Sequence, residues 1–372
     1  MASYLTLLIG PGIPIPAPEP VTDSLLSVQV TSGPDRSGFQ LTFAVSKMSL
    51  LLTALLPAGF FDPITTRVII VATVSGIPIV LMDGLVTRQE MQPSDDPGKS
   101  TLTITGEDLS LAMDLVEKII PFPAMPLEAQ IAVCLAPYAM FGVIPLIIPP
   151  IIPTVDIPTD GWKTQRETDR AFIRAAAARV GYVFFVRPGP IPGQSIAYFG
   201  PDINLPIPQP AVSINLDAHS NVDSLSFSLD GLAKKIKVFT ILDPITHKIP
   251  IPIPLPNVNI FKPPLGLRPT MPSKIEFETM GADKKPDEAA QEILGFLMNN
   301  PAQITGSGSL SVDRYGWVLQ SRMLVGVRGA GIAYDGMYYV DSVTHNIKQG
   351  EFKQSFTLSR DGLISQTPVV VP

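Results

Sequence analysis

Charge is scarce in this sequence. Asp, Glu, Lys and Arg together make up 16% of the 372 residues, against roughly 25% in an average soluble domain, while the apolar share of 45% is ordinary. A charge-poor chain with a mean hydropathy of +0.29 indicates that other subunits cover part of its surface, because obligate interfaces resemble a domain core cut in half. The alternative is a monomer with a large core.

Positive charge is not clustered. The net charge is −6 and the pI is near 5.2, and no basic patch with interleaved aromatic residues occurs. Proteins that bind nucleic acid use such patches to neutralise phosphates and to stack on bases. The sequence therefore predicts no nucleic-acid binding.

Residues that carry catalysis or hold metal ions are few and unsuitably spaced. The single cysteine, Cys134, excludes an intrachain disulfide and a multi-cysteine metal site. The histidines His219, His247 and His345 lack the spacing of paired metal ligands. No Gly-x-Ser-x-Gly turn occurs, and the glycines of 326–331 are not spaced as in a dinucleotide-binding loop. We predict no catalytic residue, no cofactor and no metal.

Proline, in contrast, is abundant. Most of the 40 prolines lie in five clusters, at 11–20, 121–126, 145–158, 188–210 and 244–272. The stretch 129–155 carries no charge and is long enough to cross a membrane. Prolines interrupt it five times, and each breaks the helix that a lipid-exposed span requires. No membrane span and no secretory leader are predicted, and membrane association through 129–155 stays an alternative.

Residues 249–256 alternate proline with isoleucine or leucine. Because every second residue lacks an amide hydrogen, the segment is expected to run as an extended, edge-like chain. It is either an arm lying on a neighbouring subunit or a stiff insert packed on its own domain. The candidate subunit-interface residues are isoleucines of this insert and of the one near 150, namely Ile147, Ile148, Ile151, Ile152, Ile251 and Ile253.

Apolar and polar residues alternate in the first and last parts of the chain. Residues 24–45 predict a β-hairpin with a turn at 33–35, and more strands are expected at 67–74, 79–82, 85–89 and 101–105, with a turn at 83–84. Strands are also expected at 211–216, 225–229 and 235–241. The clearest hairpin is the last, with strands at 338–347 and 352–358 joined by a turn at 348–351.

Helices are expected in three places. The first begins at Thr105 and ends before Pro121, the second begins at Thr164 and stops at Gly181, and the third covers 286–298. A short strand, 182–186, follows the second helix directly. Two β-rich blocks therefore flank a mixed α/β middle.

Two stretches resemble the baseplate hub family of contractile phage tails and related injection systems, which includes the late control protein D group. The first comprises 103–108 (TITGED), Trp162, 167–173 (ETDRAFI) and 178–185 (ARVGYVFF). The second comprises 305–326, 335–345 (DGMYYVDSVTH) and 350–358 (GEFKQSFTL). From first to last residue the two stretches span 103–185 and 305–358, about a third of the chain, and the terminal hairpin is the most specific part. Its family-like structural positions are Tyr339, Val340, Val343, His345, Phe352 and Phe356.

The resemblance implies an α+β, β-rich fold with two tube-like antiparallel β-barrels, small α/β domains between and beside them, and Pro-rich extended inserts. The expected division is a Pro-rich N-terminal arm at 1–22, a first barrel with a C-terminal helix at 23–120, an α/β domain with a Pro-rich insert at 121–210, a second barrel at 211–363 with the insert 244–272 and the helix 286–298, and a tail at 364–372.

The resemblance also implies a function. The expected protein is a structural baseplate hub, a homotrimer that joins a hexameric inner tube protein to a separate trimeric spike protein, beside other baseplate subunits. It would be assembled in the cytoplasm as part of a phage tail or tail-like particle. No catalytic residues carry over, and no fused spike domain is expected because the sequence ends at Pro372. The alternative of another class is a phage-associated enzyme that degrades cell wall or carbohydrate.

Overall fold

The structure is a computed structural model. It describes residues 3–34, 36–96, 99–152, 163–203, 205–215, 220–242, 250–256, 262, 264–268, 274–279, 286–298 and 302–366. Three residues singled out in the sequence, Trp162, His219 and His247, lie outside these ranges.

The described residues contain strands throughout and short helices mainly in the middle. The strands are β1 Ser3–Pro11, β2 Ile15–Pro16, β3 Leu25–Ser32, β4 Ser37–Ala44, β5 Thr66–Val74, β6 Ile77–Gln92, β7 Thr101–Asp108, β8 Ile120–Phe122, β9 Val143–Ile147, β10 Lys163–Gln165, β11 Tyr182–Pro188, β12 Ser195–Pro201, β13 Leu205–Ser213, β14 Ser224–Leu229, β15 Lys235–Leu242, β16 Pro250–Pro256, β17 Gly266–Arg268, β18 Lys274–Thr279, β19 Ile304–Ser311, β20 Met323–Arg328, β21 Gly336–Lys348, β22 Glu351–Arg360 and β23 Leu363–Ser365. The α-helices are α1 Glu19–Asp23, α2 Leu127–Leu135, α3 Asp169–Val180, α4 Pro286–Met298 and α5 Val312–Tyr315, with a π-helix at Leu51–Leu55 and 3-10 helices at Leu109–Asp114 and Ala136–Phe141.

One large sheet runs through both β-rich blocks. Its strand order is β14-β19-β22-β21-β3-β4-β7-β6-β5-β1-β2, and β20 joins β21 to β13. The blocks meet where β21 pairs antiparallel with β3, with His345 opposite Val30 and Ile347 opposite Val28. The predicted class, α+β and rich in β-structure, is confirmed.

Both blocks also contribute to one apolar core. Phe43 and Leu41 from the first block and Tyr338 and Val340 from the second belong to the same cluster of buried side chains. On strands, alternate side chains face opposite sides, so the period-2 pattern of the sequence places these residues on the inner face. Burial of this shared core, rather than a flexible linker, holds the blocks together.

A second core belongs to the α/β unit. Its sheet has the order β11-β12-β9, and α2 and α3 cover it with Ile131, Cys134 and Ile173. Helix α3 begins after its N-cap Thr168, whose hydroxyl accepts from the Ala171 amide, and ends at Gly181 in the left-handed conformation. The predicted stop at Gly181 is confirmed, but the predicted start at Thr164 is wrong because Lys163–Gln165 forms β10.

Helix α4 has the predicted bounds, Pro286–Met298, but packs elsewhere than predicted. Its residues Leu294 and Met298 lie against the α/β core and not in the second β-block with which the sequence grouped them. A methyl group on Gly181 would lie 2.5 Å from the Gly295 Cα, so the two glycines allow the helices α3 and α4 to approach closely.

Three other predictions are corrected. Residues 1–22 are not an arm, because Ser3–Pro11 pairs with β5 along its whole length and its prolines fall at or beyond its end. The turn predicted at 83–84 is the middle of β6, where a methyl group on Gly84 would lie 2.1 Å from the Glu107 carbonyl oxygen. The helix predicted from Thr105 is reduced to the 3-10 helix Leu109–Asp114, because β7 continues to Asp108.

The Pro-Ile segment is an edge strand of its own chain in the described residues. Strand β16 pairs antiparallel with β15, which pairs on its other side with β18. This placement agrees with the insert packed on its own domain and with the edge position that its prolines require. The side chains of Ile251 and Ile253 lie outside the described part of the structure.

Candidate interaction surfaces

One face of the terminal hairpin β21–β22 is buried in the protein. Val340, Val343, Phe352 and Phe356 are buried in the shared core, and Tyr339 is partly exposed. Strict alternation along β22 places these aromatic residues on one face. The hairpin therefore anchors the junction of the two blocks and presents little apolar surface to a partner.

His345 is held in a polar network within this core. The Gln354 amide nitrogen lies 3.0 Å from His345 Nδ1 and donates to the Leu319 carbonyl at 2.9 Å, while the Leu319 amide donates to the Gln354 oxygen at 3.0 Å. Since both amide hydrogens of Gln354 are donated, Nδ1 accepts and the neutral ring carries its hydrogen on Nε2. Burial lowers the pKa of His345 to about 4.

The isoleucines of the insert near residue 150 differ in environment. Ile147 packs against the α/β core, and Ile148 lies over Gly200. Ile151 is 51% exposed, and Ile152 is partly buried next to α4, where its carbonyl accepts from the Gln291 amide at 2.9 Å. Only Ile151 among these four offers a largely open apolar side chain.

Other apolar side chains are more exposed than those predicted from sequence. Ile332 is 85% exposed at the tip of the loop between β20 and β21, and Met140 is 81% exposed at the end of a 3-10 helix. The remaining large apolar side chains that are more than half exposed in the described part of the chain are Tyr4, Ile13, Ile15, Met48, Val116, Ile119, Ile191, Leu232, Leu267, Ile275 and Phe277. The sequence does not predict these exposed residues, because they are single apolar positions outside any periodic pattern.

The loop that carries Ile332 is held rigidly from beneath by Arg360. The Arg360 side chain is fully buried and donates to the carbonyls of Ala333, Asp335 and Gly362 at 2.8, 2.8 and 3.0 Å. Its guanidinium also lies 4.3 Å from the centre of the Tyr338 ring. Burial lowers the pKa of Arg360. A loop fixed by two charge-assisted hydrogen bonds presents its tip with little entropy left to lose on binding.

A buried ion pair ties the first β-block to the α/β unit. Arg67 on β5 binds Asp83 on β6 with both arms of its guanidinium, at 2.7 and 2.6 Å. Arg67 also donates to the Gly193 carbonyl at 3.1 Å, and the Ser195 hydroxyl donates to Asp83 at 3.1 Å. The pair thus fixes the loop before β12 against β5 and β6.

A second buried carboxylate organises the α/β unit itself. Asp169, at the start of α3, accepts from Tyr138 at 2.7 Å and from Gln165 at 2.8 Å, and it pairs with Lys118. Cys134 lies 3.5 Å from the Gln165 oxygen, and burial with the nearby Asp169 charge raises its pKa to about 12. The thiol is therefore protonated at neutral pH and is a packing residue, not a nucleophile.

Within the described part of the chain, no group of three or more His, Cys, Asp or Glu side chains is arranged to hold a metal ion. No helix among the described residues has the length and apolar content needed to cross a membrane.

Known proteins resemble this chain in structure but not in sequence. The sequence matches no protein-family model and no curated protein. Its structure, however, aligns over 98% of its length with 98% of the tail protein from Neisseria meningitidis, at a TM-score of 0.63 and 13% sequence identity. It also aligns over 96% of its length with 98% of the 43 kDa tail protein of prophage MuSo2 from Shewanella oneidensis, at a TM-score of 0.62 and 12% identity.

A third similar structure comes from another kind of machine. The chain aligns over 94% of its length with 77% of an Escherichia coli component of the type VI secretion system, at a TM-score of 0.52 and 9% identity. That component is described as structurally similar to the T4 bacteriophage tail proteins gp27 and gp5. The chain therefore has the hub-like fold of phage tail and baseplate proteins.

Proposed function

We propose that the protein is a structural baseplate hub subunit of a phage tail or tail-like contractile machine. The observation that carries this proposal is the fold match to a tail protein over 98% of both chains. Because the match covers both β-blocks and the α/β unit together, the whole architecture is shared and not one common module.

In this proposal three copies form a ring. Two β-blocks per chain then give six similar blocks around the axis, which suits a hexameric inner tube on one side and a trimeric spike on the other. The shared sheet and core support such a role, since a symmetry adaptor must transmit load between its blocks without hinging. Function here rests on interface geometry, and the protein acts without catalysis, beside other baseplate subunits in a particle assembled in the cytoplasm.

The subunit contacts in this proposal include Ile151, in the insert near residue 150. A glutamate at Ile151, which is 51% exposed, would place a charge in an apolar contact and is expected to shift the protein from trimer to monomer. Ile147→Ala is the matched control. It removes a side chain packed on the α/β core and is expected to lower the free energy of unfolding by about 1–3 kcal/mol while leaving the trimer intact.

Light scattering coupled to size-exclusion chromatography tests the proposal, with the purified protein alone and mixed with its spike protein. The expected mass is about three times the chain mass of 40.0 kDa in at least one condition. A strict monomer in both conditions would overturn the trimeric hub. Electron microscopy of the parent particle then gives the position of the chain relative to tube and spike.

A further inference from the structure

A cleft of about 380 Å³ opens where the first β-block, the α/β unit and the second β-block meet. Its walls carry the apolar side chains of Ile79 and Leu81 from β6, Ile196 from β12 and Met323 from β20, together with the polar side chains of Ser32, Gln320, Ser321 and His345. Its volume lies near the lower end of the range of roughly 300–1,000 Å³ typical of small-ligand sites. The cleft is large enough for a short apolar group and one polar head.

One side chain of this cleft, that of Arg187, is a cation with no carboxylate partner among the described residues. Arg187, on β11, lines the cleft and is partly buried. Among the residues that the structure describes, its guanidinium makes no hydrogen bond and no ion pair. Burial, and then the nearby charge of Arg322, lower the pKa of Arg187. Both effects disfavour an isolated cation at this position.

The neighbouring charges leave Arg187 without a carboxylate. Arg322 stacks on Phe185 at 3.9 Å and pairs with Asp202 at 2.9 Å. Lys262 pairs with the other oxygen of Asp202 at 2.5 Å. Asp202 is therefore shared between two cations, and the third cation of the cluster, Arg187, faces the cleft.

We propose that this cleft is a binding site for a carboxylate carried on a short apolar group, with Arg187 as the residue that binds the carboxylate. A planar guanidinium binds a carboxylate through two parallel hydrogen bonds, which a single ammonium group cannot do. The apolar side chains of the walls favour a ligand whose remainder is largely hydrocarbon, because the described lining offers no charged side chain besides Arg187 to pair with a second charge. This site does not depend on the proposed hub function.

Two sources can supply that chemistry, the free end of a partner polypeptide with an apolar last residue, or a small organic acid. The first measurement uses hexanoate as the probe, titrated into the full-length protein by calorimetry, with hexan-1-ol and hexylamine as probes of the same length. Hexanoate is expected to bind at least tenfold more tightly than either. Equal binding of the three probes to the wild-type protein, or no binding of hexanoate, would overturn the proposal.

Variants then test the assignment to Arg187. Arg187→Met is expected to weaken hexanoate binding at least tenfold, and Arg187→Lys to weaken it less. Because Arg187 pairs with no carboxylate in the described structure, Arg187→Met is also expected to keep or raise the melting temperature. Arg88→Met is the matched control, since Arg88 is an exposed arginine on β6 paired with Glu90 at the surface, and its loss changes the net charge equally. Equal weakening in both variants would refute a local site.

A tetrapeptide ending in leucine distinguishes the two sources. If the peptide with a free carboxylate binds more tightly than hexanoate, and its amidated form does not bind, the ligand is the end of a polypeptide. If the free peptide binds less tightly than hexanoate, the ligand is a small acid. Both results support the site, whereas equal binding of the free and amidated peptides counts against Arg187 as its carboxylate contact.

Discussion

Replacing Arg67 by methionine gives the sharpest test of how the β-block and the α/β unit are joined. The change removes both hydrogen bonds to Asp83, whose carboxylate is fully buried, and among the described side chains it leaves the Ser195 hydroxyl as the one donor to that carboxylate. Hydrogen bonds to charged groups contribute about 1.5–3 kcal/mol each, and loss of one partner of a buried pair costs roughly 3–5 kcal/mol. We expect Arg67→Met to lower the free energy of unfolding by about 4 kcal/mol.

The double variant separates the ion pair from general damage. Asp83→Leu alone is expected to cost about as much as Arg67→Met, because it leaves Arg67 buried with only the Gly193 carbonyl. Combining the two removes both charges, so the double variant is expected to be closer to wild type than either single variant. Urea unfolding followed by circular dichroism measures all three. Single effects below about 1 kcal/mol, or a double effect equal to their sum, would refute the reasoning.

Two further predictions concern the buried polar groups of the terminal hairpin. His345 has a pKa of about 4 in the fold against 6.5 unfolded, so the unfolded chain binds the extra proton and stability falls as the pH drops from about 6.5 towards 4. Between about pH 7.5 and pH 5 this loss of stability amounts to roughly 2 kcal/mol. The variant His345→Asn, which keeps an acceptor for Gln354, is expected to remove the loss, as measured by urea titrations at the two pH values. An unchanged pH dependence in this variant would contradict a neutral, buried His345. Arg360→Met leaves two carbonyls of the Ile332 loop and the Gly362 carbonyl without their donor and is expected to cost about 3 kcal/mol, whereas Arg314→Met, at a 52% exposed side chain paired with Asp223, is expected to cost at most about 1 kcal/mol. Similar losses in the two arginine variants would contradict that difference.

Local patterns predicted the strands well because period-2 alternation and turn residues act over a few positions. The strands of the two predicted hairpins, β3 with β4 and β21 with β22, are confirmed. The pattern failed where a long-range contact overrides a local preference. Asp83 and Gly84 resemble a turn in sequence, yet Arg67 pairs with the aspartate and the backbone of β7 passes close to the glycine, so β6 continues through both.

The candidate surfaces were less predictable than the fold. Alternation placed Phe352 and Phe356 on one face of β22, but the joining of the blocks through β3 and β21 depends on residues about 310 positions apart, as in the Thr31 and Thr344 hydroxyl pair. No short-range pattern encodes such a register. Arg187 was missed for a similar reason, because its lack of a carboxylate follows from how Asp202 is shared by residues from two other segments.

The Pro-Ile inserts have a physical explanation in the edges of their sheets. Directly after β9 the Ile148 amide donates to the Phe199 carbonyl, and directly before it the Gly142 carbonyl accepts from the Ser195 amide. The backbone groups of even-numbered residues in β9 therefore face β12, and those of Pro145 face away. In β16 every second residue is proline, and the ladder to β15 requires its amide donors from the residues between them. Both strands therefore direct prolines to the open side, where no further strand can pair fully. The backbone groups of Ile144 and Leu146 face β12, so these exposed residues can contact a partner only through their side chains. The alignment of a partner on this edge is therefore set by the fit of side chains and not by backbone hydrogen bonds.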